Sequence, residues 1–129
     1  MTRREWLGRA VKMLMGAVLA WPVMRFVLAR RYRPPRKVRI RDEVPQGGFL
    51  IEPEFVLFQQ ASGPLAVSRT CTHLGCKVTY DESMRQFICP CHQSRFHWNG
   101  RYISGPAKKD LPKYPVEVID GGKGYIVFI

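Results

Sequence analysis

The chain has 129 residues, with 21 Lys and Arg against 10 Asp and Glu, a formal net charge of +11 and an isoelectric point near 10.0. A pI this high ordinarily points to nucleic acid, but residues 1–41 carry the whole excess, and residues 42–129 are neutral. The globular part has no basic stripe with interleaved aromatics, so nucleic acid is not expected as a partner, and no paired carboxylates, nucleophile elbow or phosphate-binding glycine loop stand out.

The amino end reads as a membrane element. Thr2-Arg3-Arg4-Glu5-Trp6-Leu7 resembles a twin-arginine export signal, and an apolar run follows from Met13 to Met24. Those 12 uncharged residues match a signal h-region better than a span, whereas extension to Ala29 gives 17 and takes in Pro22 and Arg25. Proline is tolerated in membrane helices, and an arginine near the end can reach the headgroups. Residues 1–30 are therefore expected to form an uncleaved single-pass anchor, with Trp6 and Tyr32 at the interfaces. The competing reading is a cleavage site at Val27-Leu28-Ala29. Arg30, Arg31, Arg33, Arg36, Lys37, Arg39 and Arg41 follow, and the positive-inside rule by itself would keep that richer side in the cytoplasm. Membrane lipids with anionic headgroups, or a partner subunit, are the other expected contacts for these arginines.

A basic linker, 31–45, contains Pro34-Pro35, which favours stiff, extended geometry, and Gln46-Gly47-Gly48 offers a second pivot. Residues 46–129 then make one small domain. Short runs rich in β-branched and aromatic residues predict strands at Val38–Ile40, Phe49–Ile51, Phe55–Gln59, Leu65–Ser68, Val78–Tyr80 and Gln86–Ile88. A closing hairpin is predicted from Val116–Asp120 and Tyr125–Ile129 around Gly121-Gly122-Lys123-Gly124. No helical periodicity is visible after residue 45, so the domain is expected to be all-β.

Two clusters within it use all four cysteines: Cys71-Thr72-His73-Leu74-Gly75-Cys76 and Cys89-Pro90-Cys91-His92-Gln93-Ser94. Each places a cysteine and a histidine two or three residues apart, close enough for one tight loop to supply one sulfur and one nitrogen to a metal centre. Two thiolates and two imidazoles suit a mixed-ligand [2Fe-2S] cluster, with thiolates on one iron and neutral nitrogens on the other. A structural zinc site accepts the same donors, and two disulfides would use the cysteines while leaving His73 and His92 unexplained. His97 falls outside both clusters and is expected to be an ordinary surface or packing residue.

Residues 71–94 resemble the two cluster-binding boxes of Rieske iron–sulfur proteins. Ser104-Gly105-Pro106 resembles the loop that covers the cluster in that family, and Leu111 to Val116 the strand after it. The resemblance implies a small antiparallel β-sandwich or barrel, a Rieske-type [2Fe-2S] cofactor, Cys71, His73, Cys89 and His92 as iron ligands, and a Cys76–Cys91 disulfide. It also implies that Ser94 donates a hydrogen bond to a bridging sulfide. Gln93 stands where the family usually has glycine. Phe96 stands where high-potential members carry a tyrosine whose hydroxyl reaches a ligand cysteine, so a lowered midpoint suited to menaquinol is expected.

Rieske ferredoxins and ring-hydroxylating oxygenases typically lack the disulfide pair, so the resemblance favours the quinol-oxidising branch. It implies a subunit of a dimeric, multi-subunit cytochrome bc-type complex that takes an electron and a proton from quinol at His92 and passes the electron on. The expected partners are a cytochrome b subunit and a cytochrome c. The expected location is a bacterial inner membrane, with the cluster domain on the periplasmic side, because a disulfide is favoured there. The alternatives are the small subunit of arsenite oxidase, relaying electrons from a molybdenum subunit, and a zinc- or disulfide-stabilised interaction module.

Overall fold

A computed structural model describes residues 2–28 and 34–129, so Ala29 and Arg30, expected at the end of the anchor, and Arg31, Tyr32 and Arg33, expected at the start of the linker, lie outside it. The chain divides into two compact units, 1–34 and 35–129.

The described residues of the first unit form one helix, α1 (Arg3–Leu28). The residues that resemble an export signal also build its start. The Thr2 amide donates to the Glu5 carboxylate at 2.9 Å, and the Glu5 amide donates back to Thr2 Oγ1 at 3.4 Å. This reciprocal capping box satisfies backbone donors that a helix start leaves open, and Glu5 also complements the positive helix end. Pro22 lies inside the helix without ending it. At about 1.5 Å per residue, 26 residues reach roughly 39 Å, and one 18-residue window has a mean hydropathy of 1.6. The helix is long and apolar enough to cross a membrane.

The second unit is built from eleven strands in three antiparallel sheets. The first sheet joins β1 (Lys37–Ile40), β11 (Gly124–Phe128) and β10 (Val116–Ile119) in that order. The second orders β2 (Phe49–Ile51), β3 (Phe55–Gln60), β4 (Gly63–Ser68) and β9 (Lys113–Tyr114). The third orders β5 (Thr79–Asp81), β6 (Gln86–Ile88), β7 (Arg95–His97) and β8 (Tyr102–Ser104).

The second sheet is covered on both faces, which explains why β3 reads as an unbroken apolar run, Phe55-Val56-Leu57-Phe58. Side chains alternate across a strand. Phe55 and Leu57 therefore pack with Ile40, Val44, Ala66, Tyr125 and Val127 on one side. Val56 and Phe58 pack with Val67, Phe87, Phe96, Cys71 and Cys89 on the other. The second core thus reaches directly beneath the two clusters.

The structure corrects the linker boundary. Residues 35–45 belong to the domain: β1 pairs with β11 from Lys37↔Phe128 to Ile40↔Tyr125, and Val44 is buried. Gln46-Gly47-Gly48 is a pinned turn rather than a pivot, because the Gly47 amide donates to Gln59 at 2.7 Å and the Gly48 amide to Pro45 at 2.8 Å. Strands β7 and β8 are additions to the predicted set. They are three residues each and gain their order from pairing with β6, a non-local contact that short propensity windows do not register.

Candidate metal centre

The two clusters fold into the same loop. In the first, the Cys71 amide donates to the Cys76 carbonyl and the Gly75 amide to the Cys71 carbonyl, at 2.8 and 2.9 Å. In the second, the Cys89 amide donates to the Ser94 carbonyl and the Gln93 amide to the Cys89 carbonyl, again at 2.8 and 2.9 Å. Both loops turn through a left-handed residue at the same step, Gly75 with φ 77° and Gln93 with φ 57°. The glycine replaced at position 93 therefore does not alter the loop geometry, and the cost appears as backbone strain. A non-glycine residue pays about 1–2 kcal/mol there, partly offset by glycine's greater unfolded-state freedom of about 0.5–1 kcal/mol. Gln93→Gly is expected to raise stability by about 0.5–1 kcal/mol, read as a higher urea midpoint at unchanged slope; a lower midpoint would mean that the Gln93 side chain contributes more than its backbone costs.

The loops are tied together and covered. Cys76 and Cys91 form a disulfide with Cα atoms 6.5 Å apart, while Cys71 and Cys89 remain free thiols, so the two-disulfide reading does not hold. The segment after β8 closes over the second loop: at Gly105, φ +100°, a Cβ would lie 2.6 Å from the Ser94 Cα. Only glycine permits that approach. The Ala107 amide donates to Ser94 Oγ at 3.2 Å, the Thr72 hydroxyl to the Lys109 carbonyl at 2.8 Å, and the Tyr102 hydroxyl to the Gly105 carbonyl at 2.7 Å. Sequence reads Tyr102 only as a packing aromatic and gives no sign of the roles of Thr72 and Ala107, since all three depend on contacts with other segments. Pro106 is exposed on this covering loop.

Burial sorts the donors. Cys71 and Cys89 are 2% and 1% exposed, His73 is half-buried and His92 is exposed, and the two imidazole rings stand 4.9 Å apart at 83°. Burial and the neighbouring Cys89 thiol push the Cys71 thiol above its ordinary pKa, opposed by hydrogen bonds from the His73 amide and Ser94. A positively charged metal removes that obstacle, because coordination deprotonates a thiol. His73 Nδ1 is buried without a hydrogen-bond partner, as a nitrogen reserved for a metal would be. Two inner sulfurs and two outer nitrogens thus fit a [2Fe-2S] cluster with unlike irons.

The sulfurs of Cys76, Cys89 and Cys91 also lie within 4.8 Å of one another. They are not a three-thiolate site, since two of them are consumed by the disulfide. Ser94 is fully buried beside Cys71, and Phe96 is fully buried in the core, edge-on to Tyr102 at 6.3 Å. His97 is exposed on β7, as an ordinary surface residue.

A small all-β domain that offers two thiols and two imidazoles from disulfide-joined loops defines a mixed-ligand iron–sulfur protein. The profile of the Rieske [2Fe-2S] domain matches residues 32–115, and the chain belongs to that family, whose cofactor is a Rieske-type [2Fe-2S] cluster. It is 33% identical over 135 residues to the cytochrome b6-f complex iron-sulfur subunit of Chlorobaculum tepidum, covering 92% of this chain and 72% of that one. A subunit of the same name from Prochlorococcus marinus (strain MIT 9515) is 43% identical over 58 residues, 45% of this chain and 33% of its own. Among solved structures, the cyanobacterial plasma membrane Rieske protein PetC3 from Synechocystis PCC 6803 superposes with a TM-score of 0.53. It is 31% identical, covering 64% of this chain and 85% of that one.

Proposed function

We propose that the protein is the membrane-anchored electron-transfer subunit of a quinol-oxidising cytochrome b6-f or bc-type complex. The observation that carries this reading is the site itself: two buried free thiols beneath two imidazoles, on loops joined by a disulfide and followed by a tightly packed covering segment. The curated relatives that share this domain are subunits of such complexes. Cys71 and Cys89 would hold one iron of the cluster, and His73 and His92 the other. When bound, the cluster supplies one-electron chemistry at the domain surface.

The chain's own residues do the rest. His92, exposed at the tip, presents an imidazole nitrogen that accepts a quinol hydroxyl and holds the proton released with the electron. Buried Cys71 and Cys89, with the covering loop pressed on Ser94, keep water from the sulfurs. Residues 1–30 serve as a single-pass anchor, 31–34 as the tether, and the domain faces the outer side of a bacterial inner membrane, exported by the twin-arginine route. The acceptor is a cytochrome c. Because proton and electron travel together, the midpoint is expected to fall with rising pH through the alkaline range, approaching about 59 mV per pH unit for one proton per electron. A redox titration followed by EPR tests this; a pH-independent midpoint rejects the coupling.

The quinol is menaquinol. Phe96 brings no hydroxyl to the site, and the nearby Tyr102 hydroxyl donates to Gly105 rather than to a sulfur. A missing donor to a charged centre is worth on the order of 1.5 kcal/mol, so Phe96→Tyr is expected to raise the midpoint by tens of millivolts. An unchanged midpoint in the same titration removes this tuning role.

A further inference from the structure

The neutrality of residues 42–129 conceals a separation of charge. Residues 69–113, which contain both loops, the third sheet and the covering segment, hold eight basic residues against three acids. The rest of 42–129 holds six acids and only Lys123 on the basic side. The two ion pairs among the described residues, Arg36–Glu54 and Arg39–Asp120, both lie outside the 69–113 segment.

Four of the cations stand next to the metal loops in the chain or in the segment bonded to them. Lys77 directly follows Cys76, and Arg95 directly follows Ser94. Lys108 and Lys109 sit in the covering segment, held to the first loop by the Thr72–Lys109 bond and to the second by the Ala107–Ser94 bond. All four are exposed, and none enters either ion pair. Asp110 follows Lys109, and its carboxylate accepts the Tyr102 amide at 2.8 Å.

We propose that this basic rim is a docking surface for an acidic electron-carrier protein, one whose redox centre lies beside a cluster of carboxylates. The inference rests on the electron-transfer reading above. Unpaired like charges on one rim cost self-repulsion unless a complementary surface meets them, and such fields raise association rates by about 10- to 1,000-fold. An acidic redox protein fits better than a lipid surface, because these cations flank the loops that carry the exposed imidazole through which electrons leave. Transfer is outer-sphere: one electron passes from the reduced domain to the oxidised carrier, and no bond forms or breaks.

The test uses the full-length, cluster-loaded protein in phosphatidylcholine nanodiscs, reduced and mixed by stopped flow with two oxidants of opposite charge, hexacyanoferrate(III) and tris(phenanthroline)cobalt(III). Fields at the cluster edge act over about 10 Å at 0.1 M salt. The hexacyanoferrate rate is expected to fall as salt is added, and the cobalt rate to rise. Lys77→Glu/Arg95→Glu/Lys109→Glu should reverse both slopes and change the rate ratio by roughly tenfold or more. The control Arg36→Gln/Lys37→Gln/Arg39→Gln should leave them unchanged. An acidic soluble c-type cytochrome should likewise outpace a basic one with wild type only.

Equal slopes in the wild type and the rim variant, or a control variant that acts as strongly as the rim variant, would overturn the proposal. Should the rim variant lose its cluster, the opposite salt slopes of the wild-type protein carry the test alone, and their absence overturns it. Protection of Lys77 and Lys109 from acetylation in phosphatidylglycerol but not phosphatidylcholine nanodiscs would reject it in favour of lipid. Absence of a Rieske EPR signal in the wild type would instead defeat the electron-transfer reading.

Discussion

Cys71→Ser and Cys89→Ser proteins are expected to purify without iron, without the visible absorbance of a cluster and without a reduced-state EPR signal. Both thiols are buried and free, and each sits at the step of its loop where the chain's own amide and carbonyl are occupied, leaving the sulfur as the group aimed inward. A serine hydroxyl is a hard, neutral donor at neutral pH and does not replace a soft thiolate. Cys76→Ser offers the contrast, since its sulfur is in the disulfide, and iron should be retained. A full-intensity signal in Cys71→Ser would mean that the ligand set is wrong.

The same pair sets a pH dependence. The Cys71 pKa is raised, first by burial and then by the adjacent Cys89, so without metal the thiol stays protonated at neutral pH. Cluster loading must therefore release protons, and protons compete with the metal. Loading is favoured as pH rises and lost as pH falls, checked by iron retention after equilibration at stepped pH; retention that is flat into the acid range would contradict this sign.

Removing the disulfide, by Cys76→Ser with Cys91→Ser, is expected to cost the domain about 2–4 kcal/mol. The bridge spans 15 residues, and closing a loop of that size contributes about 3 kcal/mol in the chain-entropy account. A domain of this size has little core to spare, so the loss should lower the urea midpoint well beyond any other single pair on the surface. His73 and His92 lie on the two loops that the bridge joins, 4.9 Å apart between rings, so the EPR spectrum should also broaden as their orientation loosens. A midpoint within error of wild type would show that the covering loop alone holds the two boxes.

Much of this is legible in the sequence. The apolar runs of β3, β6 and the closing hairpin carry their own periodicity, and paired cysteine and histidine donors at short spacing name a metal chemistry whatever surrounds them. The short strands β7 and β8 were not readable, because their order comes from pairing with β6 rather than from local preference. The linker boundary was misjudged for a related reason: Pro34-Pro35 and the basic run look like a tether, but Val38 and Ile40 find partners on β11, at the far end of the chain.

Sequence alone therefore marked the candidate donors and determined the family, the all-β class and the apolar amino-terminal helix, because each is written in residue type and local spacing. Tertiary structure decided the rest. It showed that Gln93 takes the left-handed turn of Gly75, that Gly105 must be glycine because Ser94 lies against it, and that thiols lie inside while His92 faces out. It also showed that a neutral sum of charges is divided, with cations bordering the metal loops. Summation discards position, and it is the fold that ties the segment carrying Lys108 and Lys109 to both metal loops.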